Sequence, residues 1–139
     1  MNGDLLTDLD FRRLVAFHRS RKAALTVASY WRNVKVDFGV LRANEHGHVI
    51  GFDEKPRIGY LVSMGVYVLN ERVLGLIPQG ELFGFDQLVQ ALLGVGERVV
   101  SFRHHGYWLD IGRPDDYERA VAEFEEVRSR LLPENRSEP

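Results

Sequence analysis

Gly106-Tyr107-Trp108-Leu109-Asp110-Ile111-Gly112-Arg113-Pro114-Asp115-Asp116-Tyr117-Glu118 constrains this chain more than any other stretch. An aromatic strand ends on a carboxylate, a glycine bends the backbone, and a proline opens a helix. Proline suits a first helical position because its missing N–H would have no partner there, and Asp115 and Asp116 follow where the helix dipole favours negative charge. A strand that delivers one acid to a helix-starting loop belongs to α/β architectures, whose sites collect residues from several strand ends.

The rest of the chain fits that class. Thr7-Asp8-Leu9-Asp10 reads as a helix start with a capping box, and Phe11, Leu14, Val15 and His18 continue at three- and four-residue spacing, which predicts a helix from about Asp8 to Lys22. Its Arg12, Arg13, Arg19, Arg21 and Lys22 read as a solvated face. Ala24–Ala28 is apolar and β-branched, as a buried strand requires. Val36–Leu41 and His48–Phe52 flank a polar Glu45-His46-Gly47 turn and predict a hairpin. A strand at Ser63–Leu69, a short helix over Asn70–Ile77 stopped by Pro78, a helix over Phe85–Leu93 and a strand over Arg98–Phe102 follow. Tyr117, Val121, Phe124 and Val127 stripe the last helix. These elements make residues 1–131 one expected unit, with 132–139 a disordered tail.

Composition narrows the partners. Lys+Arg 18 against Asp+Glu 20 leaves a net charge of −2, unlike a nucleic-acid-binding module. Cysteine is absent and no apolar run reaches the length of a membrane span, so neither disulfides nor a membrane is expected, and the cytoplasm is the default location. Adjacent His104 and His105 on a strand point to opposite faces and so do not form a chelating pair.

The Gly106–Glu118 stretch resembles the late metal-binding element of the sugar-1-phosphate nucleotidylyltransferases. Asn2-Gly3-Asp4 and Glu54-Lys55-Pro56 resemble two further motifs of that family, in the family's order. The resemblance implies a Rossmann-like α/β fold, with a mixed and mostly parallel sheet flanked by helices. It implies attack of a hexose 1-phosphate on a nucleoside triphosphate, giving a nucleoside-diphosphate sugar and pyrophosphate. Asp4 and Asp110 would bind Mg²⁺, whose preference for hard carboxylate oxygens suits phosphoryl chemistry. Glu54 would bind sugar hydroxyls, Lys55 the sugar phosphate, and Gly39, in Asp37-Phe38-Gly39-Val40, would let backbone approach the sugar. Ser63, in Ser63-Met64-Gly65-Val66-Tyr67, stands where the family usually has asparagine, and so keeps a hydroxyl but loses reach. Arg113 replaces a common threonine and would add a cation beside the metal loop.

Mannose 1-phosphate with GTP is the first substrate pair the resemblance suggests, with glucose 1-phosphate and dTTP or UTP next. The family's glycine-rich, triphosphate-binding loop has no counterpart in these 139 residues. The expectation is therefore the C-terminal portion of a catalytic domain, with Met1 an internal methionine, inactive alone and prone to self-association or to pairing with a partner chain through its open sheet edge. The rival expectation is a non-catalytic sugar-phosphate-binding or regulatory module acting on a full-length paralogue.

Overall fold

The computed structural model describes residues 1–112 and 114–132. Strands are β1 (Leu5–Thr7), β2 (Leu25–Lys35), β3 (Gly39–Ala43), β4 (Val49–Glu54), β5 (Arg57–Leu69), β6 (Val99–His104) and β7 (Trp108–Asp110). Helices are α1 (Phe11–Arg21), α2 (Phe85–Gly94) and α3 (Pro114–Leu131), with a 3₁₀ segment at Glu71–Leu76. The chain divides into two compact units, one of Met1–Tyr30 with the chain from Ser63 onward, the other Trp31–Val62.

In the larger unit, β2 is the central strand of the order β5-β2-β6 and pairs in parallel with β6, from Leu25↔Val99 to Tyr30↔His104. Its first half, Leu25–Ser29, is buried on both faces, as the apolar run at Ala24–Ala28 implied, while Trp31–Lys35 are exposed. Ala28 packs with Leu9, Leu14, Met64 and Val66 in one core cluster. Leu25 packs with Val73, Leu88 and Leu92 in another. The α1 helix therefore covers one face of the strand and α2 the other. Leu14 and Leu92 are fully enclosed, and truncating either to alanine would remove about 2–5 kcal/mol. The buried polar groups on this strand are satisfied. His18 Nδ1 lies 2.8 Å from Thr26 Oγ1, and Ser29 Oγ lies 2.6 Å from Ser101 Oγ.

The start of α1 corrects the sequence reading. Asp10, not Thr7, caps the helix, its carboxylate accepting the Arg13 N–H at 3.0 Å. Thr7 ends β1, where its hydroxyl donates to the Tyr107 carbonyl at 2.9 Å and accepts the Leu9 N–H at 3.2 Å. Asp8 lies outside the helix altogether. β1 pairs antiparallel with β7 through Leu5↔Asp110, Leu6↔Leu109 and Thr7↔Trp108, so the parallel pairing of the sheets sits at β2–β6 and the acid-bearing strands are antiparallel. The expected helix at Pro114 forms, and Glu71–Leu76 is a 3₁₀ turn capped by Asn70 where a short helix was expected. The tail from Pro133 and the Arg113 side chain lie outside the described residues.

The smaller unit contains the expected hairpin, with Gly39↔Glu54, Val40↔Asp53 and Leu41↔Phe52 in register. Its turn is tied by Asn44 Oδ1, which accepts the His46 and His48 N–H groups at 3.1 and 3.0 Å, and Gly47 takes φ +80°.

Candidate active site

The three-residue β1–β7 ladder places Asp4 and Asp110, the two acids expected to bind metal. Asp110 ends β7 opposite Leu5, and beyond that pair the Ile111 N–H donates to the Asp4 carbonyl at 2.9 Å. The backbone then turns at Gly112, whose N–H donates to Asp110 Oδ1 at 3.0 Å. A methyl group at Gly112 would meet Asp4 Oδ2 at 2.9 Å and Asp110 Oδ1 at 3.2 Å. Glycine here lets both carboxylates reach over the one position that a side chain would fill. Two anions brought to one point repel unless a cation stands between them. Among the described residues no third Asp, Glu, His or Cys joins them.

One neighbouring strand, β5, holds this corner. The Asn2 N–H donates to the Gly65 carbonyl at 2.9 Å, and the Trp108 indole N–H donates to the Met64 carbonyl at 3.2 Å. Gly65 has φ +74°, and a Cβ there would meet the Asn2 side chain at 2.8 Å. The Asn2-Gly3-Asp4 turn is thus seated on the Ser63-Met64-Gly65 bend of β5. Ser63 is exposed; its hydroxyl accepts the Gly65 N–H at 3.2 Å and donates to Tyr67 Oη at 3.2 Å. Tyr67 in turn stacks on Phe85, ring centroids 3.5 Å apart.

The other three expected site residues lie together in the smaller unit. Gly39 pairs with Glu54, and a Cβ on Gly39 would meet the Phe52 ring at 2.6 Å and Glu54 Oε2 at 3.2 Å. Its immediate reason for being glycine is that ring, which crosses from the neighbouring strand. Lys55 has φ +45°, a left-handed conformation uncommon for a side-chain-bearing residue and doubly so before proline, which normally forces its predecessor to be extended. Its Nζ is solvent-exposed and lies 3.9 Å from Glu54 Oε1. The following Pro56 carbonyl accepts the Val36 N–H at 3.0 Å, which pins the loop.

At the far end of the β1–β7 ladder stands a group that sequence reasoning did not find. Asp8 Oδ1 accepts the Tyr107 N–H at 2.6 Å and lies 2.9 Å from His104 Nε2, while Oδ2 accepts Arg130 Nη2 and Nε at 2.6 and 3.0 Å. Burial alone would push the Asp8 carboxyl up, but the Arg130 and Tyr107 hydrogen bonds, the Arg130 charge and the His104 contact outweigh it and hold it below its ordinary 3.8. These partners stand 96 to 122 positions away, so no local pattern announces them. The His104 of the rejected zinc pair is thereby a structural partner of Asp8.

A family model described as nucleotidyl transferase matches residues 1–127. The chain belongs to that family. Nucleotidyl transferases similar to it include the glucose-1-phosphate adenylyltransferase of Desulfitobacterium hafniense, 30% identical over 95% of this chain and 38% of the relative. The mannose-1-phosphate guanylyltransferase of Mycobacterium tuberculosis is 32% identical over 88% of this chain and 35% of its own length. The chain thus spans little more than a third of these curated relatives. Among solved structures, HddC from Yersinia pseudotuberculosis shares the fold with a TM-score of 0.60 at 23% identity, covering 89% of this chain and 53% of that one.

Proposed function

We propose that this chain carries the metal-binding and sugar-phosphate-binding portion of a sugar-1-phosphate nucleotidylyltransferase. The observation that carries the reading is the meeting of Asp4 and Asp110 over Gly112. Two carboxylates suit Mg²⁺, which is commonly held by one or two protein acids and completes its shell with water and substrate phosphate. When bound there, the ion would neutralise charge on the triphosphate and on the attacking sugar phosphate, the main demand of this chemistry. The protein's own groups do the positioning. Asp110 is fixed by its hydrogen bond from Gly112, and Asp4 by the backbone bonds of Asn2 and Ile111.

Lys55 supplies a mobile cation for the sugar phosphate, and Glu54 an acceptor for sugar hydroxyls. The uncommon backbone of Lys55 supports that role, since such conformations persist mainly where surroundings enforce them for function. Ser63 presents one hydroxyl to the sugar where an asparagine would present an amide. Mannose 1-phosphate with GTP is the substrate pair we favour, ahead of glucose 1-phosphate with another nucleotide; relatives named for both sugars match the chain. The glycine-rich loop for the triphosphate is not among these 139 residues, so the chain by itself is proposed to bind metal and sugar phosphate without turning over.

Paramagnetic titration with Mn²⁺ in place of Mg²⁺, and phosphorus NMR of mannose 1-phosphate and glucose 1-phosphate, test this on the 139-residue protein. Saturable Mn²⁺ binding abolished by Asp110→Asn, with line broadening of one sugar phosphate, supports the reading. Sugar-phosphate binding without any metal site would favour the regulatory module instead.

A further inference from the structure

We propose that Asp8 is a positioning residue that sets the register of β1 on β7 and thereby holds Asp4 against Asp110. This rests on the reading of those two acids as the metal pair.

The ladder between β1 and β7 has three residue pairs, and a two-stranded pairing that short is marginal without support at its ends. At the site end it closes with the Ile111 N–H on the Asp4 carbonyl. At the opposite end the Asp8 N–H donates to the Tyr107 carbonyl at 3.2 Å, but the return bond from the Tyr107 N–H goes to the Asp8 side chain at 2.6 Å. A carboxylate thus occupies the acceptor place that a backbone carbonyl would take in a continuing ladder. It is also a better acceptor, because hydrogen bonds to charged groups are shorter and stronger. Gly106 passes so close that a Cβ there would overlap Asp8 Oδ1, leaving the carboxylate one seat.

The geometric consequence is specific. A slip of one residue would carry Asp4 about 3.3 Å along its partner and turn its side chain to the other face of the ribbon. Either displacement would separate the two carboxylates. Asp8 makes a second contact, the two-pronged ion pair with Arg130 of α3. That bond ties down a helix. Its partner is half exposed, side-chain accessibility 51% for Arg130 against 15% for Asp8, and the register argument does not depend on it.

Three variants of the 139-residue protein separate the seat from the charge. Asp8→Asn keeps the shape and an oxygen for the Tyr107 N–H but removes the charge facing Arg130. Asp8→Glu keeps the charge but adds a methylene where Gly106 leaves no room. Arg130→Gln removes the ion pair and leaves the seat untouched. Mn²⁺ affinity and hydrogen exchange of the Ile111 amide are read for each, beside the thermal midpoint. The expected result is Mn²⁺ affinity within threefold of wild type for Asp8→Asn and Arg130→Gln, and at least tenfold weaker for Asp8→Glu, with the Ile111 amide losing protection in Asp8→Glu alone.

A purely structural role would make affinity follow the thermal midpoint, lowest wherever the ion pair is lost, and that ranking would overturn the proposal. So would an unchanged Ile111 amide in Asp8→Glu. If the wild-type protein bound no Mn²⁺, the metal reading would fail on its own, while the pattern of Ile111 exchange would still decide whether Asp8 sets the register.

Discussion

Gly112→Ala is the sharpest perturbation of the proposed metal corner, because the structure gives it opposite effects on stability and on binding. The added Cβ would stand 2.9 Å from Asp4 Oδ2 and 3.2 Å from Asp110 Oδ1. Carbon and oxygen prefer a few tenths of an ångström more, so at least one carboxylate must swing away. Asp4 can do so readily, since its oxygen is the end of an exposed side chain with no hydrogen bond or ion pair among the described residues. The backbone at Gly112 is not in the left-handed region, so alanine brings no φ strain there. Replacing glycine by alanine at such a position typically stabilises by about 0.4–1 kcal/mol through the unfolded chain. Relief of the repulsion between two facing anions works in the same direction. Metal binding, by contrast, needs both oxygens at about 2.0–2.1 Å from one ion, and a methyl group occupies the approach. Changes that only reorient ligands typically lower metal affinity about 10–100-fold, and the methyl should do no less. The assay is Mn²⁺ titration beside a thermal melt. An alanine variant that melts no lower than wild type but binds Mn²⁺ at least tenfold more weakly is expected. Unchanged affinity would refute the convergence of Asp4 and Asp110 on one ion.

Asp110→Asn and Asp4→Asn should each abolish most Mn²⁺ binding, and the double variant should be little worse than either, because ligands of one ion act as a unit; additive losses in the same titration would indicate separate sites. Lys55→Gly should raise stability by about 1 kcal/mol by relieving the left-handed backbone while weakening mannose 1-phosphate binding, read by urea unfolding and phosphorus NMR. His18 gives a pH dependence. Burial first, and the Arg19 charge second, hold its imidazole below the ordinary 6.5, so the unfolded chain binds the proton more readily. That contribution to stability is complete above pH 6.5 and is lost as pH falls below it. His18→Gln should flatten the slope of urea midpoint against pH in the range just below 6.5, a window above the one in which Asp8 titrates.

The parts legible in the sequence were those whose signal is local. Asp110 announces itself through the aromatic, glycine and proline around it, and the Val36–Phe52 hairpin through its polar turn. β1 was not legible, because three residues give no alternation, and its pairing with β7 is decided by hydrogen bonds to residues near Tyr107. Thr7 and Asp8 therefore read as a helix cap when Asp10 performs that task three residues later. Strands β2 and β5 run further than expected, to Lys35 and from Arg57, through polar segments whose pairing is tertiary. Gly112 stood in plain view beside Asp110, yet only the positions of two side-chain oxygens show what its missing side chain leaves room for.

The separation of β1 from β7 also has a meaning in time. Thr7 and Tyr107 are 100 positions apart, and a ribosome adding about 5–20 residues each second needs roughly 5–20 s to bring the second strand out after the first. The hairpin of β3 and β4, joined by a short turn, can close within about 10 μs of its own synthesis. Throughout that interval Asp4 is an acid on a strand without a mate, and Asp8 has neither Tyr107 nor Arg130 to hold. The corner of Asp4 and Asp110 can therefore form only once β7 has emerged, and a chain cut between Glu54 and Asp110 would have the hairpin but not the pair of facing acids.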